Sequence, residues 1–387
     1  MTSLPEPDAA ARAHSARLAA LIREEIRAAG GWIPFSRYME LALYAPGLGY
    51  YSAGARKFGA AGDFVTAPDI SPLFGRCVAR QAAEALARSG GRVLELGAGA
   101  GTLASQVMLE MERLGALPGR YDILEVSADL RERQQSLLRT TAPHLLERVH
   151  WLDRFPEKLT GLVLGNELLD ALPANLVAWR GADVLERGVS ASGDEFSWEE
   201  RPIPPGPLRE AALRIAPGEN YESEICLASR SLVASLARIL ERGVLLFVDY
   251  GFGRAEYYHP QRSAGTLMCH YRHLAHDDPF AWPGLTDITA HVDFTAVTEA
   301  ALAQGARLLG FTTQAHFLVN CGITELLAGT SPEDAARYLP LAAQAQKLLS
   351  PSEMGELFKV IALGKGIEPP FLGFARGDRS RSLYTLG

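Results

Sequence analysis

Nowhere in this 387-residue chain is there an apolar run near the roughly 20 residues that a membrane helix needs, so membrane insertion is not expected. Cysteine is sparse. Cys77, Cys226, Cys269 and Cys321 lie far apart and form no C-x-x-C pair, which argues against a disulfide framework or a zinc knuckle and sets the expectation of a reducing compartment. Positive charge is not in excess either: 38 Lys and Arg stand against 45 Asp and Glu, a net charge of −7. A protein that grips nucleic acid through phosphates carries a basic field, so no nucleic-acid partner is expected. Internal repeats and low-complexity tracts are missing. What remains is a chain that is 48% hydrophobic, long enough to bury a full core as one large domain or two modest ones.

Residues 93–101 read V-L-E-L-G-A-G-A-G. A short apolar strand ends in Gly97, Gly99 and Gly101, and helical spacing follows from Thr102. Such a turn is a nucleotide-cofactor loop, because glycines let the backbone approach a ligand and a helix N-terminus favours anionic groups. A dinucleotide loop has the spacing G-x-G-x-x-G; here the third glycine comes one residue early and Thr102 takes its place. Glu95 precedes the first glycine by two residues. A carboxylate there repels a pyrophosphate and suits the ammonium of a methionine moiety. The stretch resembles the E-x-G-x-G-x-G signature of class I S-adenosylmethionine methyltransferases. That resemblance implies S-adenosyl-L-methionine as cofactor, with Glu95, Gly97, Gly99, Gly101 and Thr102 around it.

The rest of the chain sets the fold class. Leu18, Leu21, Ile22 and Ile26 share one helical face, and Gly30-Gly31 stops that helix. The segment carries arginines, as a mitochondrial transit peptide would. Glu6, Asp8, Glu24 and Glu25 lie before or within it, however, and transit peptides are acid-poor; it reads as part of the fold, and the chain as cytoplasmic. Residues 44–74 are rich in glycine, proline and aromatics and read as a structured loop over a site. From residue 76 helix and strand alternate, which marks a doubly wound α/β sheet. The expectation is a Rossmann-like class I methyltransferase sheet of five parallel strands and an antiparallel return. Residues 1–75 form a helical and loop lid; residues 76–387 form the methyltransferase domain, with insertions at about 177–226 and 252–290 and a helical excursion at about 332–349.

Candidate site residues cluster at the expected strand ends. Glu125, 24 residues after Gly101, ends the second strand, where a carboxylate can accept both ribose hydroxyls. Asn166, Glu167 and Asp170 follow the fourth strand, at the switch in strand order where ligands bind in such sheets. Asn166 is assigned to the cofactor. Glu167 and Asp170, three apart, share a face if their turn is helical and are assigned to clamping a guanidinium. Thr66 and Pro68, in the stretch G-D-F-V-T-A-P-D-I-S, are placed over the cofactor, with Ser71 as the cap of the helix that Pro72 opens. His291 is assigned to orienting the acceptor or relaying a proton, with Asp293 either beside it or capping the next helix. His270, His273 and His276 drift around a helix and carry no metal assignment.

With these residues in view, the chain resembles the MidA family of S-adenosylmethionine-dependent methyltransferases, the group that includes the mitochondrial complex I assembly methyltransferase. The matching motifs are YMELALYAPGLGYYS (38–52), FGAAGDFVTAPDISPLFG (58–75), LELGAGAGTLA (94–104), GNELLDALP (165–173), FVDYGF (247–252), GTLMCHYRH (265–273) and DITAHVDF (287–294). Ala98 stands where many relatives have proline. The resemblance implies protein arginine methylation linked to respiratory complex I assembly, with a protein substrate such as a complex I subunit as partner. Two rivals are a methyltransferase acting on a small-molecule nitrogen or oxygen, and an assembly chaperone that binds cofactor with little turnover. A dinucleotide oxidoreductase is disfavoured by the spacing at Thr102. The sequence leaves the oligomeric state open, a homodimer being one option.

Overall fold

A computed structural model describes residues 4–53 and 66–384. The chain divides into two compact units. Of the described residues, one gathers 4–53, 170–231 and 254–292; the other gathers 66–169, 232–253 and 293–384.

The second unit holds the methyltransferase-type sheet. Seven of its eight described strands form the main path: β1 (Arg92–Leu96), β2 (Tyr121–Leu124), β3 (Val149–Leu152), β4 (Leu159–Asn166), β5 (Leu240–Phe252), β6 (Arg307–Thr313) and β7 (Phe358–Lys365). They run in the order β6-β7-β5-β4-β1-β2-β3. Strands β1 to β5 pair in parallel, and β7 is antiparallel to both β5 and β6. The antiparallel return is therefore not at the edge: it is inserted between β5 and β6. Apolar runs in β4 and β5 are continuous rather than alternating, as strands covered on both faces require; Leu162, Val163, Leu164, Leu245, Leu246 and Phe247 are all fully buried.

Helices of this unit start and stop where their sequences dictate. Ser71 caps helix Pro72–Ser89 by accepting from the Leu73 N–H, with Pro72 in the first turn, where its missing N–H costs nothing. Helices Thr102–Arg113 and Ala128–Thr141 follow β1 and β2. Gln314–Asn320 and Ile323–Ala328 were not expected; both are short, and Phe317, Leu318, Ile323 and Leu326 anchor them in the same core.

The first unit is built on a five-stranded sheet in which Trp32–Pro34, Asp183–Ser192, Asn175–Arg180 and Tyr221–Ile225 lie in that order and Glu195–Pro202 pairs with Asp183–Ser192. Every pairing within it is antiparallel. Helix Ala9–Ala28, capped by Asp8, buries Leu18, Ile22 and Ile26 and ends just before Gly30 and Gly31, whose φ values are 81° and 96°. Phe35 and Tyr38, from helix Phe35–Tyr44, pack with Phe196, Trp198 and Phe280. The N-terminal segment and the stretches read as insertions thus share one core, whereas the expected division set residues 1–75 apart as a lid. The reason is a long-range pairing, Trp32 opposite Ser190, that joins the N-terminus to the first insertion.

A small sheet of the same unit corrects the reading of the histidines. Met268–Tyr271 and Leu274–His276 form a hairpin with Arg272 and His273 at its turn, and Cys269 pairs with His276. His270, His273 and His276 are on no helix. Among the described residues, no group of three or more His, Cys, Asp or Glu side chains could hold a metal ion. No helix among them is long and apolar enough to cross a membrane.

Candidate active site

The glycine loop joins β1 to helix Thr102–Arg113, and Gly97, Gly99 and Gly101 all have left-handed φ values (65°, 52° and 91°). At Gly101 a side chain is disfavoured twice over, by the left-handed φ and by a Cβ that would lie 3.2 Å from the Gln134 Cα. At Gly99 a Cβ would meet no described atom within 4 Å. Asp69 ties the loop to the segment before it: Thr102 Oγ1 donates to Asp69 Oδ1 at 2.9 Å, and Thr66 Oγ1 donates to Asp69 Oδ2 at 2.8 Å. Two of the expected residues are thus brought together by one that the sequence reading did not assign. Pro68 is buried, and its carbonyl accepts from Gln106 Nε2 at 2.8 Å. Gly62 to Val65, the front of the expected cover, lie outside the described residues.

Glu95 is buried at 2% exposure. Tyr121 Oη donates to its Oε2 at 2.6 Å. Burial pushes the Glu95 carboxyl up to about 7, with the Tyr121 bond opposing. Tyr121 was missed as a functional residue, although the parallel register places it opposite Val93 and so on the same face as Glu95.

Glu125, also buried, follows β2. Its Oε1 accepts from the Ser127 N–H at 2.9 Å and its Oε2 from Gln134 Nε2 at 3.2 Å. The Val126 backbone also bonds this carboxylate, and with roughly four acceptor positions a carboxylate held by three donors can still accept from a ligand hydroxyl. Desolvation raises its pKa, while these hydrogen bonds pull the other way.

The end of β4 carries Asn166 and Glu167. Glu167 has a φ of 50°, a backbone region that costs a non-glycine residue about 1–3 kcal/mol. Its N–H donates to the Val248 carbonyl at 2.8 Å, which holds the turn against β5. The Glu167 Oε1 accepts from Asn166 Nδ2 at 3.1 Å and the Ala67 N–H at 3.4 Å. Burial, and then the charge of Asp249, push its carboxyl up to about 8. Asp249, fully buried on β5 and not assigned from sequence, accepts from the N–H groups of Leu168 and Leu169 at 3.0 and 2.7 Å. A carboxylate at a strand end facing the next turn was the available signal.

Asp170 and His291 belong to the first unit. Asp170 is 4% exposed, and its carbonyl accepts from the Ala290 N–H at 3.0 Å. The turn after Asn166 is not an α-helix, so the helical face expected for Glu167 and Asp170 does not form. His291 is held through its backbone, its N–H donating to Thr266 Oγ1 at 3.0 Å and its carbonyl accepting from Tyr257 Oη at 3.0 Å. Asp293 caps helix Phe294–Leu302 by accepting from the Ala296 N–H at 3.0 Å.

The donor set fits a methionine-bearing cofactor. Asn166 Oδ1 is buried and has no hydrogen-bond partner among the described residues; an ammonium is the kind of donor it lacks, and Glu95 adds the matching charge. The comparisons with known proteins agree. Over 98% of this chain and all of theirs, two structures of a Burkholderia thailandensis protein are 51% identical, with TM-scores of 0.95 and 0.92; the first holds S-adenosyl-homocysteine. A mitochondrial protein arginine methyltransferase NDUFAF7 homologue of Drosophila melanogaster is 29% identical over 96% of this chain and 92% of its own. The mitochondrial protein arginine methyltransferase NDUFAF7 of Danio rerio is 30% identical over 87% and 84%. These relatives overturn the cytoplasmic expectation, because they are mitochondrial proteins. That expectation rested on acidic residues in a helix that packs into the core, and a helix built for packing carries no information about destination. The model of a family of S-adenosyl-L-methionine-dependent methyltransferases matches residues 77–312, well over half the chain and the whole run from the helix before β1 into β6. S-Adenosyl-L-methionine is the cofactor, and the chain belongs to this methyltransferase family, as its motifs led one to expect.

Proposed function

We propose that this methyltransferase acts on an arginine side chain of a protein, with a subunit of respiratory complex I as the acceptor that the family resemblance implies. The observation that carries the reading is the likeness, over most of both chains, to protein arginine methyltransferases. Features of this chain support it. Asp170 lies within electrostatic reach of Tyr44 and Tyr51, whose rings stack at 5.5 Å. Aromatic faces beside a carboxylate suit a guanidinium.

Bound S-adenosylmethionine supplies the electrophilic methyl; the protein supplies orientation and proton handling. A guanidinium has a pKa of about 12.5–13.8, so its nitrogen is a poor nucleophile until a proton leaves. Glu167 is assigned to accepting that proton. Its raised pKa makes it a better base, and an arriving cation favours its ionised form. Asp170 is assigned to pairing with the guanidinium, and His291 to orienting the acceptor or relaying the proton. Glu95 and Asn166 hold the methionine end of the cofactor and Glu125 its ribose.

Mass spectrometry of the host proteome with and without the gene tests the reading. Loss of methylarginine at a defined protein site, restored by the parent gene, is expected. Label from radioactive cofactor passing to small molecules alone overturns it in favour of a small-molecule acceptor. Partner assembly that survives in a variant unable to bind cofactor overturns it in favour of a chaperone.

A further inference from the structure

We infer that Gln134 is a positioning residue for the cofactor, its amide locking the glycine loop and the Glu125 carboxylate into one geometry. Gln134 is fully buried in helix Ala128–Thr141. Its Nε2 donates to the Gly99 carbonyl at 2.9 Å and to Glu125 Oε2 at 3.2 Å. Its Oε1 accepts from the Trp151 indole N–H at 2.9 Å. An indole nitrogen only donates, and an amide carries donors on one end and an acceptor on the other. The flipped amide would set N–H against N–H at Trp151 and oxygen against oxygen at both other contacts. Trp151, on β3, therefore fixes which way the amide faces.

Two consequences reach the cofactor. The peptide group is planar and trans, so a Gly99 carbonyl turned toward Gln134 sends the Ala100 N–H the opposite way. One hydrogen bond from Gln134 thus sets the orientation of the Gly99–Ala100 peptide, at a point where no described atom lies within 4 Å of a Gly99 Cβ. At Glu125, Gln134 and the Ser127 N–H each bond a different carboxylate oxygen, which fixes the plane that the carboxylate presents to the ribose. Arg131 Nε holds the Glu125 carbonyl at 2.7 Å, so backbone and side chain of this residue are both fixed from the same helix. The inference goes beyond the proposed function and does not depend on what is methylated.

Calorimetric affinity for S-adenosylhomocysteine tests it. Gln134→Glu keeps the side chain's shape but, at about pH 8.5, puts a second carboxylate against Glu125 where a donor stood. Affinity is expected to fall about ten-fold or more relative to the parent. Two adjacent carboxylates hold one proton more tightly than either alone, so at about pH 5.5 the shared proton replaces the lost donor and the variant-to-parent ratio narrows. Trp151→Phe releases the amide and is expected to give a smaller loss without that narrowing. Parent-like affinity of Gln134→Glu at the higher pH overturns the inference, and so does a deficit equal at both, which marks helix packing alone. If Gln134→Glu does not fold, unchanged affinity in Trp151→Phe overturns it.

Discussion

Tyr121 donates its hydroxyl hydrogen to Glu95 across 2.6 Å, and both side chains are buried. The pair holds a carboxyl whose pKa lies near 7, well above the usual range of about 4.3 for a glutamate. The folded state therefore binds a proton that the unfolded chain has already released.

That difference gives opposite signs for stability and for binding. Between the unfolded value and about 7, rising pH removes stability, because the native state keeps the extra proton. Glu95→Gln is expected to melt at a higher temperature than the parent at alkaline pH, with the difference shrinking as pH falls. The same variant is expected to lose cofactor affinity, and the parent's own affinity is expected to weaken below about 7, where Glu95 becomes neutral. Melting curves and calorimetry over one pH series check both; a Glu95→Gln protein that binds cofactor as the parent does removes Glu95 from the site.

Glu125→Ala is expected to weaken cofactor binding by about 1.5–3 kcal/mol, the contribution of hydrogen bonds to a charged group. That is roughly ten-fold to more than a hundred-fold in dissociation constant. NAD is expected not to bind either protein. Calorimetry with both ligands decides this, and an unchanged constant for S-adenosylhomocysteine excludes Glu125.

If ionised Glu167 takes the acceptor's proton, single-turnover methyl transfer rises with pH and levels off, with its midpoint below the value of about 8 for the empty site because the bound cation favours the ionised form. Glu167→Gln should erase the rise and lower the rate by about 10²-fold or more, while cofactor affinity stays within a few-fold. A variant that keeps the parent's rate and profile ends the assignment.

Asp249→Asn removes a charge that raises the Glu167 carboxyl, so the pH profile should move to lower pH. Asp249→Ala leaves the Leu168 and Leu169 N–H groups without this acceptor, and each buried donor so exposed costs about 1–3 kcal/mol. Chemical denaturation and the pH profile separate the two effects. A profile that stays in place in Asp249→Asn refutes the coupling.

What could be read directly from the sequence was local. The glycine spacing, the strand ends at Glu125 and Asn166, and the Ser71-Pro72 helix start depend on residues a few positions apart, where backbone geometry leaves few choices. The grouping of the two units depends on Trp32 meeting Ser190, and no short-range pattern announces such a pairing. Tyr121, Gln134 and Asp69 escaped for a related reason. Each serves through a partner distant in sequence, and on its own looks like an ordinary strand, helix or loop residue. The histidine hairpin failed differently: spacing by threes suggested a helix, but the left-handed turn at Arg272 and His273 folds the segment back on itself.

The insertion of β7 between β5 and β6 bears on the order in which the protein can be completed during synthesis. β5 leaves the ribosome long before β7, and until residues 358–365 arrive it presents an unpaired hydrogen-bonding edge, while β6 has no strand to join. Exposed apolar edges of this kind recruit other chains. The nascent chain thus passes through a vulnerable interval that spans more than a hundred residues of translation, from the end of β5 at Phe252 to the start of β7 at Phe358, and the last strand made is the one that closes it.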